Sequence, residues 1–225
     1  KMADRFTVFG SEIIPTVYKY FINHYKNYIT PILGKILNSF DEEVVFFMKD
    51  KLEEAYRKKD STTFYRVAQQ LGHMKHKEAV EVLIKGYQKF PKYSGVIIKG
   101  LGYTEDKRTK AIYLKALKNT RSTSIQKKCL VSLAFLKDNS VVSEVKPILN
   151  TNNSELKIYT LLVLARYNNR EAVDKLLDYL IAGSRREQDI VGQQILHRLR
   201  KSDQKYIAER TLNLPEKRPF ISSLH

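Results

Sequence analysis

The chain has 225 residues, enough for one large domain or two small ones, and 43% of them are hydrophobic, which is too many for a disordered chain. Its 40 Lys and Arg residues against 24 Asp and Glu residues give a net charge of +16, which favours an anionic partner. Nine Gly and six Pro argue against an all-β sandwich, and no apolar run reaches the roughly 18 residues that a bilayer-crossing helix needs.

The single cysteine, Cys129, rules out an intrachain disulfide and a thiolate metal cluster. It shares a helical stripe with Ile125 and Leu133, so we expect it to be a small core residue. The lack of disulfides favours a cytoplasmic location. Because the chain opens at Lys1, a leader or a membrane anchor before this residue is left open. We expect a monomer or a weak oligomer.

Residues 1–60 are predicted to form an N-terminal helical cap. Ser11 to Pro15 is typical of a helix entry, and a stripe of mostly aromatic residues follows it, made of Val17, Tyr18, Phe21, Ile22, Tyr25 and Tyr28. The alternative is a membrane-surface or partner-binding helix, because Tyr and Lys side chains combine an apolar body with a polar tip.

Two further helices are predicted within this cap. Pro31 starts a short helix that ends at Leu37. Asp41 is the expected N-cap of a longer helix ending near Lys58, since Glu42 and its neighbour then lie at the positive end of that helix.

From residue 61 to residue 212 the apolar spacing predicts five pairs of short amphipathic helices. Leucines recur near the end of each first helix, at Leu71, Leu101, Leu133, Leu164 and Leu199, with separations of 30, 32, 31 and 35 residues. Another apolar residue stands eight positions after four of these five leucines. In the second pair this position is Thr109, so we expect the register of that pair to be looser. We expect turns at Gly72 and at Tyr167-Asn168-Asn169.

A period near 30 residues with two helices per unit is typical of an α-solenoid. The chain here resembles the HEAT-like repeat family, through Gln70-Leu71-Gly72, Gly100-Leu101-Gly102, Ser132-Leu133-Ala134 and Val163-Leu164-Ala165. This resemblance implies an all-α fold, a right-handed α-solenoid of about five two-helix repeats with the N-terminal cap. Residues 213–225 are expected to be an extended tail that lies over the last repeat through Phe220 and Ile221.

No catalytic, cofactor or metal site is predicted. His73 and His76, with Glu78 nearby, have a spacing that suits a metal only if a third ligand converges on them. We interpret them as surface residues of a turn, because HEAT-like metal hydroxylases pair His and Glu in several repeats and this chain does not.

The predicted binding surface is a basic groove between residues 61 and 121, where 13 basic residues face only 4 acidic ones. Lysines at second-helix positions would line its wall, and tyrosines between them would stack on bases or pack on a peptide. The residues assigned to this groove are Lys85, Lys89, Lys99, Lys107, Arg108, Lys110, Lys115, Lys118, Tyr87 and Tyr113. The alternative is that these lysines are solvated on outer faces.

These observations predict a non-enzymatic scaffold that binds an acidic protein partner. Nucleic-acid binding is the alternative, since Lys rather than Arg suits contact with phosphate more than base readout. The DNA glycosylase activity that the resemblance to HEAT-like proteins would allow is disfavoured, because the chain has no Trp. No sequence feature favours the bilin-lyase activity of other HEAT-like proteins.

Overall fold

A computed structural model describes residues 10–24 and 28–211, and all regular structure in these residues is helical. None of the helices described has the length and apolar character needed to span a bilayer. The α-helices are α1 (Ile14–Asn23), α2 (Thr30–Asn38), α3 (Asp41–Arg57), α4 (Ser61–Met74), α5 (Lys77–Lys89), α6 (Ser94–Leu101), α7 (Lys110–Asn119), α8 (Thr123–Ala134), α9 (Val141–Val145), α10 (Ser154–Arg166), α11 (Arg170–Ala182), α12 (Arg185–Asp189) and α13 (Lys201–Thr211).

The chain forms two compact units, Lys1–Thr109 and Lys110–His225. In the first, α4 packs against α3, α5 and α6, and α1 packs on α2. Asp60 caps α4 by accepting a hydrogen bond from the Thr63 backbone N–H at 3.0 Å. Beside α4 an aromatic cluster fills the core, in which the ring of Phe64 stacks on that of Tyr93 at a centroid distance of 4.3 Å. The first unit is thus organised around α4.

In the second unit α8 packs against α7 and α10, and α10 packs against α11. Asn153 and Asn169 cap α10 and α11 through hydrogen bonds of 3.2 and 2.8 Å to backbone N–H groups. Asn168 has a left-handed φ of 66°. The predicted turn at Tyr167-Asn168-Asn169 is confirmed, because α10 ends at Arg166 and α11 begins at Arg170.

The five recurring leucines are all buried, which confirms that they are packing positions. Leu71, Leu101 and Leu133 have no exposed surface, and Leu164 and Leu199 are only 3% and 4% exposed. Thr109 is also fully buried, and its Oγ1 donates a hydrogen bond of 2.6 Å to the Asp106 carbonyl. A threonine whose hydroxyl is bonded locally therefore occupies the place where other pairs have an apolar residue.

Three local predictions are wrong. Gly72 does not mark a turn, because α4 continues to Met74. The second helix of the third pair changes to a 3-10 helix at Lys146–Asn150, where Pro147 lacks the N–H that an α-helix would use. Asp41 is the first residue of α3 rather than its cap, and no side-chain cap bond forms at this start.

The fifth pair is irregular. The spacing of Val191, Ile195 and Leu199 predicts a continuous α-helix, but Ile190–Ile195 is a π-helix, followed by a 3-10 helix at Leu196–Arg198. The predictions for Tyr25 and for the tail 213–225, including Phe220 and Ile221, lie outside the described residues. The expected boundaries at residues 60 and 212 stay a prediction.

Candidate functional site

Lys85 and Lys89 of the predicted groove are exposed on α5, in the first unit. They line a groove of about 290 Å³ between α3 and α5. Three carboxylates line it as well, and one of them, Glu53 Oε1, lies 3.0 Å from Lys89 Nζ. The hydrogen bond from Lys89 lowers the pKa of the Glu53 carboxyl. This groove therefore has mixed charge rather than the positive charge expected from the sequence. Tyr87 is half-buried on the same helix.

Arg108 and Lys99 are engaged within the first unit. Asp106 holds the Arg108 guanidinium through two oxygens, with Nε–Oδ1 and Nη2–Oδ2 distances of 3.0 and 2.7 Å. This contact lowers the pKa of Asp106 and raises that of Arg108. Lys99 Nζ lies 4.9 Å from the ring centroid of Tyr65 and donates a hydrogen bond to its hydroxyl. Lys107 is exposed beside them.

The remaining predicted residues belong to α7, in the second unit. Lys110 Nζ lies 2.9 Å from Asp138 Oδ2. Lys118 lies 3.5 Å from Glu144 and lines a groove of about 430 Å³ between α7 and the segment from Ser143 to Ile148. Lys115 is exposed.

Tyr113, on the same helix, is only 1% exposed, so its ring contributes to the core of the unit and offers no face to a base or a peptide. Among the described residues of the predicted set, the exposed cations that make no described ion pair are thus Lys85, Lys107 and Lys115, whereas Lys99 contacts its tyrosine.

A cavity that the sequence did not reveal lies between α1, α2 and α4. Its volume is about 570 Å³. The described residues that line it include three basic side chains, Lys35, Arg66 and His73, and none of those described residues is acidic. The complete described lining is Phe21, Thr30, Pro31, Gly34, Lys35, Asn38, Arg66, Gln69, Gln70 and His73. Its charge is therefore positive, in contrast to the two grooves.

Two consecutive buried amides, Gln69 and Gln70, form the polar wall of this cavity and are 6% and 5% exposed. Gln70 Nε2 donates to the Gly34 carbonyl at 3.0 Å and to Asn38 Oδ1 at 2.7 Å. Because a carbonyl only accepts, these bonds fix the orientation of the amide. Gln70 Oε1 is then an acceptor with no hydrogen-bond partner among the described residues.

Two of the three basic side chains have partners beside this wall. Arg66 donates a hydrogen bond to the Ile22 carbonyl, which ties α4 to α1. The His73 ring stacks on that of Tyr103 at 4.0 Å, and burial, followed by the charges of neighbouring lysines, lowers its pKa. A lowered pKa leaves His73 neutral at pH 7. The charge of the cavity therefore comes from Lys35 and Arg66.

The two histidines of the His-x-x-His spacing do not share one site. His73 faces the cavity, whereas His76 lies beside acidic residues at the start of α5. The one sequence signal for the cavity is the Gln69-Gln70 pair, which stands between Ala68 and Leu71 at positions that a buried helix face would fill with apolar residues.

Comparison of the sequence with known protein families gives no matching family, and comparison with curated proteins gives no matching sequence.

Proposed function

We propose that this chain is a non-enzymatic binding scaffold built from HEAT-like helical pairs, and that it recognises an acidic segment of a partner protein. The repeat interpretation is supported by the buried leucines at near-equal separations and by the way α4 packs along α6 in one unit and α8 along α10 in the other. Repeats of this kind expose surface that suits extended partners.

The observation that carries this proposal is the charge of the cavity beside α4. Lys35 and Arg66 line it and carry positive charge, and none of the described lining residues is acidic. A carboxylate of an acidic peptide would form charge-assisted hydrogen bonds with these groups. The Gln70 Oε1 acceptor would at the same time take a donor from the peptide backbone. The ligand expected is therefore an extended peptide with an acidic side chain, rather than a free inorganic anion.

The exposed lysines would act at longer range. Lys85 and Lys107 are exposed in the same unit as the cavity and carry no described ion pair. Such charges raise the rate at which an acidic partner arrives more than they raise the final affinity. Added salt should therefore strongly lower the rate of association and have a smaller effect on the stability of the complex once it has formed.

The experiment is fluorescence anisotropy with a labelled glutamate-rich peptide and a glutamine-rich peptide of equal length. We expect binding of the first and little binding of the second. Lys35→Glu places a negative charge at the cavity and should weaken binding about tenfold. The matched control is Lys92→Glu, an equal charge change at an exposed position of the same unit that lines none of the described cavities.

Equal weakening by both variants would show that only net charge matters and would overturn the cavity as the site. Nucleic acid is the competing ligand, and a filter-binding assay tests it. Retention of DNA or RNA, with log affinity that falls linearly with log salt and is unchanged by Lys35→Glu, would replace the proposed function with nucleic-acid binding.

A further inference from the structure

Four side chains from two separate helices meet where α3 and α5 begin. Asp41 and Glu42 belong to the first turn of α3, His76 precedes α5, and Glu78 belongs to the first turn of α5. One ligand atom each from Glu42, His76 and Glu78 can be chosen so that all three lie within 4.8 Å of one another. The sequence does not reveal this group, because Glu42 and His76 are 34 positions apart.

The His76 ring is held between carboxylates. Its Nε2 lies 3.1 Å from Asp41 Oδ1, and its Nδ1 lies 2.7 Å from Glu78 Oε2. Although both distances are short, neither pair of atoms is aligned as a hydrogen bond. Nδ1 is shielded from solvent and has no hydrogen-bond partner among the described residues.

Helix polarity explains only part of this arrangement. The positive ends of α3 and α5 favour carboxylates in their first turns, which accounts for Asp41, Glu42 and Glu78. It does not account for a buried ring nitrogen that faces an oxygen without a hydrogen bond. A nitrogen lone pair beside carboxylate oxygens is repulsive unless a positive charge, either a proton on the ring or a bound metal ion, lies between them.

We propose that Glu42, His76 and Glu78 bind a divalent transition-metal ion of the zinc class, with Asp41 orienting the imidazole through Nε2. A carboxylate on the second ring nitrogen is the usual support of a metal-bound histidine, because it leaves the lone pair on the other nitrogen. Imidazole and carboxylate together suit zinc rather than calcium or magnesium, which take oxygen ligands alone. Three protein ligands leave a fourth position for water.

Binding requires the ligand atoms to move. Ligand atoms around a tetrahedral zinc ion lie about 3.3 Å apart, whereas His76 Nδ1 and Glu78 Oε2 are 2.7 Å apart and the other separations extend up to 4.8 Å. Glu42 is exposed and free to rotate by this amount. A bound ion would join the beginnings of α3 and α5, which belong to the same compact unit.

One nearby cation opposes binding. Arg108 is close enough to Glu78 to interact with its charge. Its guanidinium, however, is held first by Asp106 at 2.7 Å and then by Glu81 at 3.4 Å. Since these two carboxylates already compensate Arg108, we expect the negative charge of Asp41, Glu42 and Glu78 to remain available to an added ion.

The test is isothermal titration of the full chain with zinc chloride. We expect one saturable site, with affinity at least about tenfold weaker in His76→Ala and in Glu78→Gln. Glu43→Gln is the matched control, because Glu43 is exposed in the same helical turn and is not part of the group. Its affinity should equal that of the unchanged chain.

Cobalt(II) provides a second measurement, since a tetrahedral site gives visible d–d absorption that should be lost in His76→Ala. If His76→Ala does not fold, as judged by circular dichroism, Glu42→Gln replaces it, because the Glu42 side chain is exposed and its loss should not disturb packing. No saturable zinc binding, or binding equal in the unchanged chain and in Glu42→Gln and Glu78→Gln, would overturn the proposal. Lys35→Glu should leave the zinc affinity unchanged, so the proposal of a metal site and the proposal of a peptide site are tested separately.

Discussion

The Cβ position of Gly72 lies 2.0 Å from the carbonyl oxygen of Gly100, so at this point the backbones of α4 and α6 are in direct contact. The contact is reciprocal along the same pair of helices, because the Cβ position of Gly100 lies 2.5 Å from the Ala68 carbonyl oxygen. Both distances are far shorter than any van der Waals contact. Glycine is therefore required here by the close approach of two helices and not by a turn.

Gly72→Ala should separate α4 from α6 and lower the free energy of unfolding by about 2 kcal/mol, since overpacking outweighs the better helix propensity of alanine. Urea unfolding followed by circular dichroism measures this change. Gly86→Ala is the control: the nearest atom to its Cβ position, Ile97 Cδ1, is 3.6 Å away. We expect that variant to be unchanged or stabilised by up to about 1 kcal/mol. Equal midpoints for the two variants would show that the helices do not touch at Gly72.

Asp138 gives a prediction about acid stability. Hydrogen bonds from Ser140 and then Lys110 lower its pKa to about 2. Because the folded state favours the ionised carboxylate, Asp138 stabilises the fold above the unfolded-state pKa of about 3.9, and this contribution is lost as the pH falls towards 2.

The measurement is the urea midpoint of the unchanged chain and of Asp138→Asn at several pH values. The difference between them should be constant from about pH 7 to about pH 5 and should shrink between about pH 4 and about pH 2. Asp50→Asn, at an exposed position without a described ion pair, is the control and should show no such trend. A difference that grows as the pH falls would contradict the sign of the shift.

Cys129 should be almost unreactive in the folded chain. It has no exposed surface, and burial raises the pKa of its thiol to about 12. We expect a disulfide reagent at pH 8 to modify it at least about 100-fold more slowly in buffer than in concentrated urea, because reaction requires local opening.

Ser124→Cys provides the comparison for this rate, since Ser124 is exposed on the same helix. That variant should show one fast thiol and one slow thiol per chain. A single fast thiol in the unchanged chain would mean that α8 does not bury this face.

The sequence predicted the packing helices well where one physical rule decides the structure. Leu71, Leu101 and Leu133 recur because each helical pair must bury an apolar face, and this local spacing is visible in the chain. The turn at Tyr167-Asn168-Asn169 was equally predictable, since polar, turn-forming residues separate two amphipathic segments there. Both signals depend on residues close together in sequence.

Features that depend on distant residues were not predictable in this way. The cavity is lined by both Lys35 of α2 and Arg66 of α4, and His76 meets Asp41 only because α3 and α5 begin side by side. The charge of the predicted basic groove also depends on distant residues. Composition counts Lys89 as a cation, whereas folding places it against Glu53, so charge in the sequence overstates the charge available to a partner.

The π-helix at Ile190–Ile195 fixes which side of the chain Gln194 occupies. Gln194 Oε1 accepts a hydrogen bond from the Tyr159 hydroxyl of α10. If the same residues formed a regular α-helix instead of the wider π-turn, every later side chain would be rotated around the axis by about 100°. Gln194 would swing away from Tyr159, and Ile195 would leave the core. The π-turn thus sets the direction in which the side chains of the following segment point, and a regular α-helix here would misalign them.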